Sequence, residues 1–269
     1  MSEIKIIKMN GSGNDFVMID HREGQFEARL KDLASQICHR RFGVGADGLI
    51  LIESSDIVDF KMRIINADGS EAEMCGNGAR CAVLFARDLG IVSESMMFET
   101  LAGVLGAEIL DQDVVCIQMS NPLDRKDHVE IEDKGRLWDI SYLNTGVPHA
   151  IIFVENVDKA DLLGMGRLLR YHDYFQPEGT NVNILQVIDD SAIKIRTYER
   201  GVEDETFACG TGAVAAAIMA HVVKGLSKPM TVMVKGGQLK IDFEVHGDVI
   251  KNVTMEGSAD KVFEGTFLL

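Results

Sequence analysis

Short segments of alternating hydrophobic and polar residues run through the chain, and their order predicts many β-strands and few helices. In the first half this period-two pattern of half-buried strands covers residues 4–9, 15–20, 49–53, 60–65, 96–100, 104–110 and 114–119. Residues 30–38 instead place apolar side chains at i, i+3 and i+4, which predicts an amphipathic helix. Residues 77–87 predict a second helix, whose apolar face is built from small side chains.

The second half repeats this layout at an offset of about 134 residues. The segment Cys-Gly-Asn-Gly-Ala at 75–79 returns as Cys-Gly-Thr-Gly-Ala at 209–213, and residues 45–49 align with 179–183 at the same offset. A helix predicted over residues 211–223 is apolar on nearly every side and is therefore expected to be buried. We predict an α+β fold of two pseudo-symmetric domains, each a barrel-like set of strands around a central helix, with a cleft between them.

The repeat also sets the expected domain boundaries. Residues 1–119 form the predicted N-terminal domain and residues 120–259 the C-terminal one, while a last strand at 260–269 returns to the first domain. Residues 121–128 are polar and are interpreted as a connector.

Charge and composition exclude several classes of function. The 27 Lys and Arg residues are outnumbered by 42 Asp and Glu residues, and the net charge of −15 argues against nucleic-acid binding. No apolar run is long enough for a membrane helix, and the N-terminal residues lack the layout of a signal peptide, so a cytoplasmic protein is expected. Five cysteines without a zinc-type spacing indicate reduced thiols and no metal site.

Residues 43–48 match the dinucleotide pattern G-x-G-x-x-G, but the order of elements around them is wrong. That motif works between a strand and a following helix, whereas here a predicted helix precedes it and a strand follows. We interpret it as a glycine turn, and no cofactor is predicted.

Two of the cysteines have a position suited to chemistry. Cys75 and Cys209 each come directly before a Gly-x-Gly-Ala stretch that opens a small-residue helix, where unpaired amides and the helix dipole favour a thiolate and an anionic ligand. The other three, Cys38, Cys81 and Cys116, are interpreted as small buried hydrophobic residues.

Two opposed thiols without a metal or cofactor motif favour one type of reaction. One thiolate removes a proton from a carbon atom, the opposite thiol supplies a proton to the other face, and the configuration inverts. The pair is expected to titrate as a coupled unit. Preorganised amides beside both sulfurs would stabilise the charge that develops on a carboxylate.

Polar residues near these two helix starts are candidates for ligand contact. Asn66 precedes the first cysteine loop, and Glu199 and Arg200 precede the second, where Arg200 suits a bidentate contact with a carboxylate. A β-turn and a solvated charge pair are the simpler alternatives for these segments. Asn14 and Asn181 lie beside glycine turns that they could merely cap. His149 fits a core histidine as well as a catalytic neighbour.

The motifs resemble those of the diaminopimelate epimerases over essentially the whole chain. They lie at residues 10–16, 66–70, 75–81, 148–149, 199–201 and 208–212. The resemblance implies a cofactor-independent epimerase that interconverts LL- and meso-diaminopimelate in lysine and peptidoglycan precursor biosynthesis. It also implies a cytoplasmic homodimer with the two-domain fold of that family.

The resemblance also assigns roles to individual residues. It makes Cys75 the proton donor and Cys209 the proton acceptor, with His149 and Glu199 in support. Substrate contacts are implied for Asn14, Asn66, Gly76, Asn77, Asn181, Glu199, Arg200, Gly210 and Thr211. Some members of the family carry Gln at the position of Gly48 and Asn at that of Val147, so the contacts to the distal end of the substrate differ here. Asn144 or a backbone carbonyl is the expected replacement.

Two alternatives to this function stay open from the sequence. A proline or hydroxyproline epimerase, or an isomerase of unsaturated acids, would use the same two-domain scaffold. In a different class, Cys75 and Cys209 would form a regulatory disulfide of a thiol redox switch. The asparagines and Arg200 favour an extended substrate with polar groups at both ends.

Overall fold

In the computed structural model of the chain, two similar sets of strands each surround one buried helix. The model describes residues 3–133 and 135–269. The first set belongs to unit 1, which comprises the described residues up to Gln118 together with Glu256–Leu269. The second belongs to unit 2, Met119–Met255. The α+β class with two similar halves is therefore confirmed.

Among the described residues, unit 1 contains nine strands and two α-helices. Its elements are β1 (Glu3–Gly11), β2 (Asn14–Asp20), α1 (Leu30–Ile37), β3 (Gly48–Glu53), β4 (Phe60–Asn66), β5 (Glu71–Ala72), α2 (Gly76–Asp88), β6 (Ser95–Thr100), β7 (Gly103–Ile109), β8 (Val114–Gln118) and, near the end of the chain, β18 (Asp260–Leu268). β18 pairs antiparallel with β1 from Glu3↔Leu268 to Asn10↔Asp260.

Unit 2 follows the same order of elements. It contains β9 (Leu123–Asp133), β10 (Arg136–Asn144), β11 (Pro148–Phe153), α3 (Leu162–Arg170), β12 (Asn181–Asp189), β13 (Ala192–Glu199), β14 (Asp204–Thr206), α4 (Gly210–Lys224), β15 (Met230–Val234), β16 (Gly237–His246) and β17 (Val249–Ser258), whose last three residues belong to unit 1. The predicted connector at 121–128 is wrong, because most of it lies in β9, which pairs with β10. The first half of β9 has only exposed or half-buried side chains, and its buried side chains begin at Val129 and Ile131.

The central helix of each unit is packed by strands on several sides. α2 packs against β1–β4, β7 and β8, and its buried residues include Ala79, Ala82, Val83 and Ala86. α4 packs against β9–β13, β15 and β16, and every residue from Gly212 to Ala220 is buried. Small side chains let the strands approach closely around the whole helix, which confirms the predicted buried helix.

Strand pairing fixes which residues of the two units correspond. Phe16 pairs with Gly48 in the parallel β2–β3 ladder, and His149 pairs with Asn181 in the parallel β11–β12 ladder. In the next antiparallel ladders Ile50 pairs with Ile64, and Asn183 pairs with Thr197. The offset in these strands is therefore 133, and the alignment of residues 45–49 with 179–183 at 134 is one residue out of register.

The change of offset from 133 to 134 arises in the turn before each cysteine. Ile65 pairs with Glu71 across the first turn, whereas Tyr198 pairs with Glu205 across the second, which is one residue longer. Beyond this turn the offset becomes 134, as for Cys75 and Cys209.

Among the described residues, no helix is both long and apolar enough to cross a membrane.

Candidate functional site

Cys75 and Cys209 occupy the same place in their units, immediately before the central helix. Both have extended backbone torsions, with φ and ψ of −142° and 116° for Cys75 and of −116° and 108° for Cys209. The first intrahelical bonds run from Ala79 N to Cys75 O and from Ala213 N to Cys209 O, at 2.8 and 2.9 Å. Residues 76–78 and 210–212 thus present the helix amides that precede those bonds, which is the usual setting for an anion or a thiolate.

The other buried cysteines are in a different electrostatic setting. Burial raises the pKa of Cys38 to about 12, and burial likewise raises the pKa of Cys81 to about 12. Neither thiol is ionised near neutral pH, so both serve as core residues, while Cys116 is half-buried on β8. Of the two cysteines at the helix starts, Cys75 is half-buried and Cys209 is 7% exposed.

In unit 1 a row of side-chain hydrogen bonds runs away from the start of α2. Arg80 Nη2 donates to Asn77 Oδ1 at 3.0 Å, and Asn77 Nδ2 donates to Asn14 Oδ1 at 2.6 Å. Asn14 Nδ2 then donates to Asp47 Oδ2 at 3.0 Å. A guanidinium at one end can only donate and a carboxylate at the other can only accept, so the orientation of both amides is fixed.

Arg80 is the buried end of this row, with no exposed surface. It also donates to Ser12 Oγ at 2.8 Å and to the carbonyl of Ser258 at 3.1 Å, and burial lowers its pKa. Sequence reasoning missed its role. The available signal was an arginine on a helix that is otherwise built of small apolar side chains.

The Asp47 end of the row is held by further charges. Arg40 donates to Asp47 Oδ1 at 2.7 Å and forms a bidentate pair with Asp15, which also accepts from Lys8. Burial acts to raise the pKa of Asp15, but the hydrogen bonds from Arg40 and Lys8 outweigh it and keep that pKa below its usual range. Asp15 is therefore ionised at neutral pH. Asp47 accepts from the side chain of Asn14 and from the backbone N–H of Asp15.

The remaining candidate of unit 1, Asn66, is the last residue of β4, where the turn to β5 begins. Its Nδ2 donates to Ser70 Oγ at 3.0 Å, and its backbone N–H donates to the carbonyl of Ser70 at 2.8 Å. Asn66 is half-buried and also fixes the turn, so the simpler interpretation as a turn residue applies to its backbone.

In unit 2 a different network lies under the start of α4. Asn183 Nδ2 donates to the carbonyl of Ala150 at 3.2 Å and lies 3.1 Å from His149 Nδ1, while Thr197 Oγ1 donates to Asn183 Oδ1 at 2.9 Å. His149 is fully buried, and its Nε2 has no hydrogen-bond partner among the described residues. Burial, reinforced by the positive charge of Arg200, lowers the pKa of His149 to about 3, so the ring is neutral.

Asn181, the first residue of β12, is close to Arg200, which directly follows β13. Asn181 Oδ1 accepts from the backbone N–H of Arg200 at 2.9 Å, and its Nδ2 donates to the carbonyl of Pro148 at 3.0 Å. Arg200 Nη1 donates to the carbonyl of Glu178 at 3.1 Å, and Glu199 beside it is half-buried. Asn181 thus holds the Arg200 turn against β11 and keeps one N–H for another contact.

The side chain of Thr211, in the first turn of α4, lies close to the Cys209 sulfur. Its Oγ1 lies 3.5 Å from Cys209 Sγ, and its carbonyl accepts from Thr145 Oγ1 at 3.0 Å. In unit 1 Gly11 approaches the start of α2 in the way that Thr145 approaches the start of α4. A Cβ at Gly11 would lie 2.5 Å from the carbonyl oxygen of Asn77. A glycine is required there because the strand end and the helix start lie in van der Waals contact.

One group of metal-type ligands exists among the described residues, formed by His21, Glu27 and Glu53 in unit 1. Arg63 donates to both carboxylates, at 2.8 and 3.0 Å, and His21 Nε2 accepts from the backbone N–H of Phe26. A guanidinium thus occupies the place that a cation would take, which identifies the group as an ion-pair cluster.

Comparison with known proteins decides the family. The sequence model described as diaminopimelate epimerase matches residues 6–123 and 141–262. A curated diaminopimelate epimerase from Aquifex aeolicus is 47% identical over 96% of this chain and 95% of its own length. The chain belongs to the diaminopimelate epimerase family.

Solved structures outside the diaminopimelate epimerases share its fold. A PhzF-family phenazine biosynthesis protein from Bacillus anthracis covers 100% of both chains with a TM-score of 0.77 at 18% identity. A hydroxyproline epimerase from Agrobacterium vitis covers 99% of this chain and 93% of its own, with a TM-score of 0.72 at 16% identity. At such identities only the fold is shared, which confirms the predicted scaffold.

The resemblance implies other side chains in some family members at Gly48 and Val147, and the structure gives the local setting of both positions. At Gly48 a Cβ would lie 2.8 Å from the carbonyl oxygen of Ile65, so the neighbouring strand leaves no room for a side chain. Val147 lies in the turn where unit 1 has Asn14, and it is half-buried. The suggested replacement Asn144 spends its Oδ1 on the backbone N–H of Gly146, at 3.0 Å.

Proposed function

We propose that this diaminopimelate epimerase family member interconverts LL- and meso-diaminopimelate without a cofactor, in the biosynthesis of lysine and of peptidoglycan precursors. The observation that carries the proposal is the matched placement of Cys75 and Cys209, each the residue before the central helix of its unit. Full-length similarity to a curated diaminopimelate epimerase favours this substrate over proline, hydroxyproline or unsaturated acids.

The reaction uses the two thiols as acid and base. Cys209 as thiolate takes the proton from the substrate Cα, so that a C–H bond breaks and an S–H bond forms. Cys75 as thiol gives its proton to the opposite face of the same carbon and becomes the thiolate. The configuration inverts, the total number of protons is unchanged, and the reverse reaction exchanges the two roles.

The helix amides supply the electrostatic part of catalysis. The Cα–H of an amino acid is a very weak acid, so negative charge that develops on the adjacent carboxylate must be stabilised. The amides of Gly76 and Asn77 in one unit and of Gly210 and Thr211 in the other are suited to this, because they precede the first intrahelical bonds. His149 and Glu199 support the two thiols.

The distal end of the substrate carries an ammonium and a second carboxylate, which need acceptors and donors. Arg200 offers a guanidinium for the carboxylate, while Glu199 and the side chain of Asn66 offer acceptors for the ammonium. Asn14 and Asn181 have amides whose orientation is already set by other contacts, which reduces the entropy lost on binding.

We further propose a homodimer that works in the cytoplasm. The support for the dimer is β18, on which Val262, Phe263 and Leu268 are 58%, 45% and 59% exposed. Apolar side chains exposed along one strand are typical of a surface that binds another chain. Light scattering of the protein and of Phe263→Glu is expected to give dimer and monomer masses, and a wild-type monomer at micromolar concentration would contradict the dimer.

The function is tested with LL-diaminopimelate in D₂O and no added cofactor, followed by NMR at Cα. The expected result is meso-diaminopimelate that carries one solvent deuterium at the inverted carbon. Proline and hydroxyproline serve as controls that should not be turned over. Absence of inversion, or turnover of proline in its place, would contradict the proposed substrate.

A further inference from the structure

The hydrogen bonds around Asn183 determine which nitrogen of His149 carries the proton. A backbone carbonyl can only accept, so the atom of the Asn183 amide that faces Ala150 O is the NH₂ group. The hydroxyl of Thr197 contacts the other amide atom and donates to its oxygen. The carbonyl of Ala150 therefore fixes the orientation of this amide without reference to the histidine, and the hydroxyl of Thr197 donates accordingly.

The same NH₂ group lies 3.1 Å from His149 Nδ1. Since an amide NH₂ can only donate, Nδ1 must accept and cannot carry a proton in the neutral ring. The ring is neutral because full burial lowers the pKa of His149 to about 3. The proton of the neutral ring is then on Nε2, the atom that has no hydrogen-bond partner among the described residues.

We propose that Asn183 is a positioning residue that locks His149 in the Nε2–H tautomer, so that His149 presents a neutral N–H donor to a carboxylate-bearing ligand. A buried N–H group without an acceptor costs free energy. This cost is recovered if the group gains an acceptor when a ligand occupies the site. The inference rests on the proposed function for the identity of the ligand only, since the tautomer follows from the contacts of the protein alone.

Position in the fold supports a functional role for this network over a merely structural one. Ile50 and Ile64 are the residues of unit 1 that correspond to Asn183 and Thr197, and Phe16 corresponds to His149. Apolar side chains thus suffice to support the central helix at these places. Three polar residues in unit 2 are not needed for packing, and burying them without function would be unfavourable.

The test uses ¹⁵N NMR of histidine-labelled protein, in which a ring nitrogen that carries a proton is distinguished from one that does not. His149→Gln identifies the resonances of His149. We expect the wild type to carry the proton on Nε2, and Asn183→Asp, whose carboxylate can only accept, to move it to Nδ1. Asn183→Asp should also lower kcat about a hundredfold, the usual loss for one preorganised donor, with little change in KM.

Thr197→Val is the matched control, because it removes a hydrogen bond from the same amide but leaves the contact with Ala150 O. It should keep the Nε2–H tautomer and most of kcat. A proton on Nδ1 in the wild type would overturn the proposal even if the Asn183 and Thr197 variants failed to fold, and so would an unchanged tautomer in folded Asn183→Asp. Saturating diaminopimelate should shift the Nε2 resonance, and no shift in a protein that turns over this substrate would overturn the donor role. If the tautomer is as expected but diaminopimelate is not turned over, the proposed function fails and the tautomer lock stands.

Discussion

Under the first turn of α2, Gly78 lies over Phe16, Ile50 and Met62, whereas under the first turn of α4 Gly212 lies over the amide of Asn183. The two helix starts share their backbone, their preceding cysteine and their glycines. They differ in almost every side chain that supports them. A duplicated backbone thus places two cysteines at equivalent positions, while the residues that support them are chemically distinct.

The difference extends to the residues beside each cysteine. In unit 1 the side chain of Asn77 is held between Arg80 and Asn14, whereas in unit 2 Thr211, at the position of Asn77, lies 3.5 Å from the Cys209 sulfur. Arg80 corresponds to Val214, so the buried charge has no counterpart in α4.

The largest effect is expected from adding one methyl group to each of the two glycines. In Gly212→Ala the Cβ would lie 2.5 Å from Asn183 Oδ1, on an amide held by Thr197 and Ala150, and 3.2 Å from the Cys209 sulfur. In the matched Gly78→Ala it meets the flexible end of Ile50 at 2.8 Å. Gly212→Ala should cost about 1–3 kcal/mol and most of the activity, and Gly78→Ala distinctly less, measured by urea unfolding and initial rates. Equal losses in both variants would show that the two helix starts are equally tolerant.

A smaller effect is expected from pH, because His149 can titrate and its counterpart Phe16 cannot. The pKa of His149 is lowered to about 3, so between pH 6.5 and 3 the unfolded chain binds a proton that the folded protein does not. Stability from the neutral ring is therefore complete above pH 6.5 and falls by about 1.4 kcal/mol per pH unit below it. Urea unfolding at pH 7 and pH 5 should show a smaller loss for His149→Gln than for the wild type.

Phe16→Leu is the control for this measurement, since it changes the equivalent place without a titrating group. Its free energy of unfolding should differ from that of the wild type by the same amount at both pH values. If His149→Gln and the wild type lost equal stability between pH 7 and pH 5, the ring would not be a buried neutral group.

The elements of the fold were predictable, because period-two and helical patterns directly record which faces are buried. The strands of unit 1 and the small-residue faces of α2 and α4 follow from local sequence alone. β9 was not predictable, since its first half shows charged residues and its buried face begins only at Val129. The charges conceal the alternation that identifies a strand.

The position of Cys75 and Cys209 at the starts of the central helices was predictable, because they come before a repeated Gly-x-Gly motif, which is a local signal. The residues that orient the candidate ligand contacts were not. Arg80 reaches Ser12, and Asn183 reaches His149, across 68 and 34 positions of the chain. Contacts of this kind depend on strand register, and a register error of one residue, as in the alignment of 45–49 with 179–183, is enough to hide them.

The most direct test of the two-thiol account is solvent exchange in Cys75→Ala and Cys209→Ala, each supplied separately with LL- and meso-diaminopimelate in D₂O. Loss of one acid–base group should lower inversion by at least about a hundredfold in both variants. The remaining thiolate still faces one side of the carbon, so each variant should exchange the Cα proton of one stereoisomer only, and the two variants should exchange opposite isomers. Inversion at the wild-type rate in either variant, or exchange of the same isomer by both, would contradict the account.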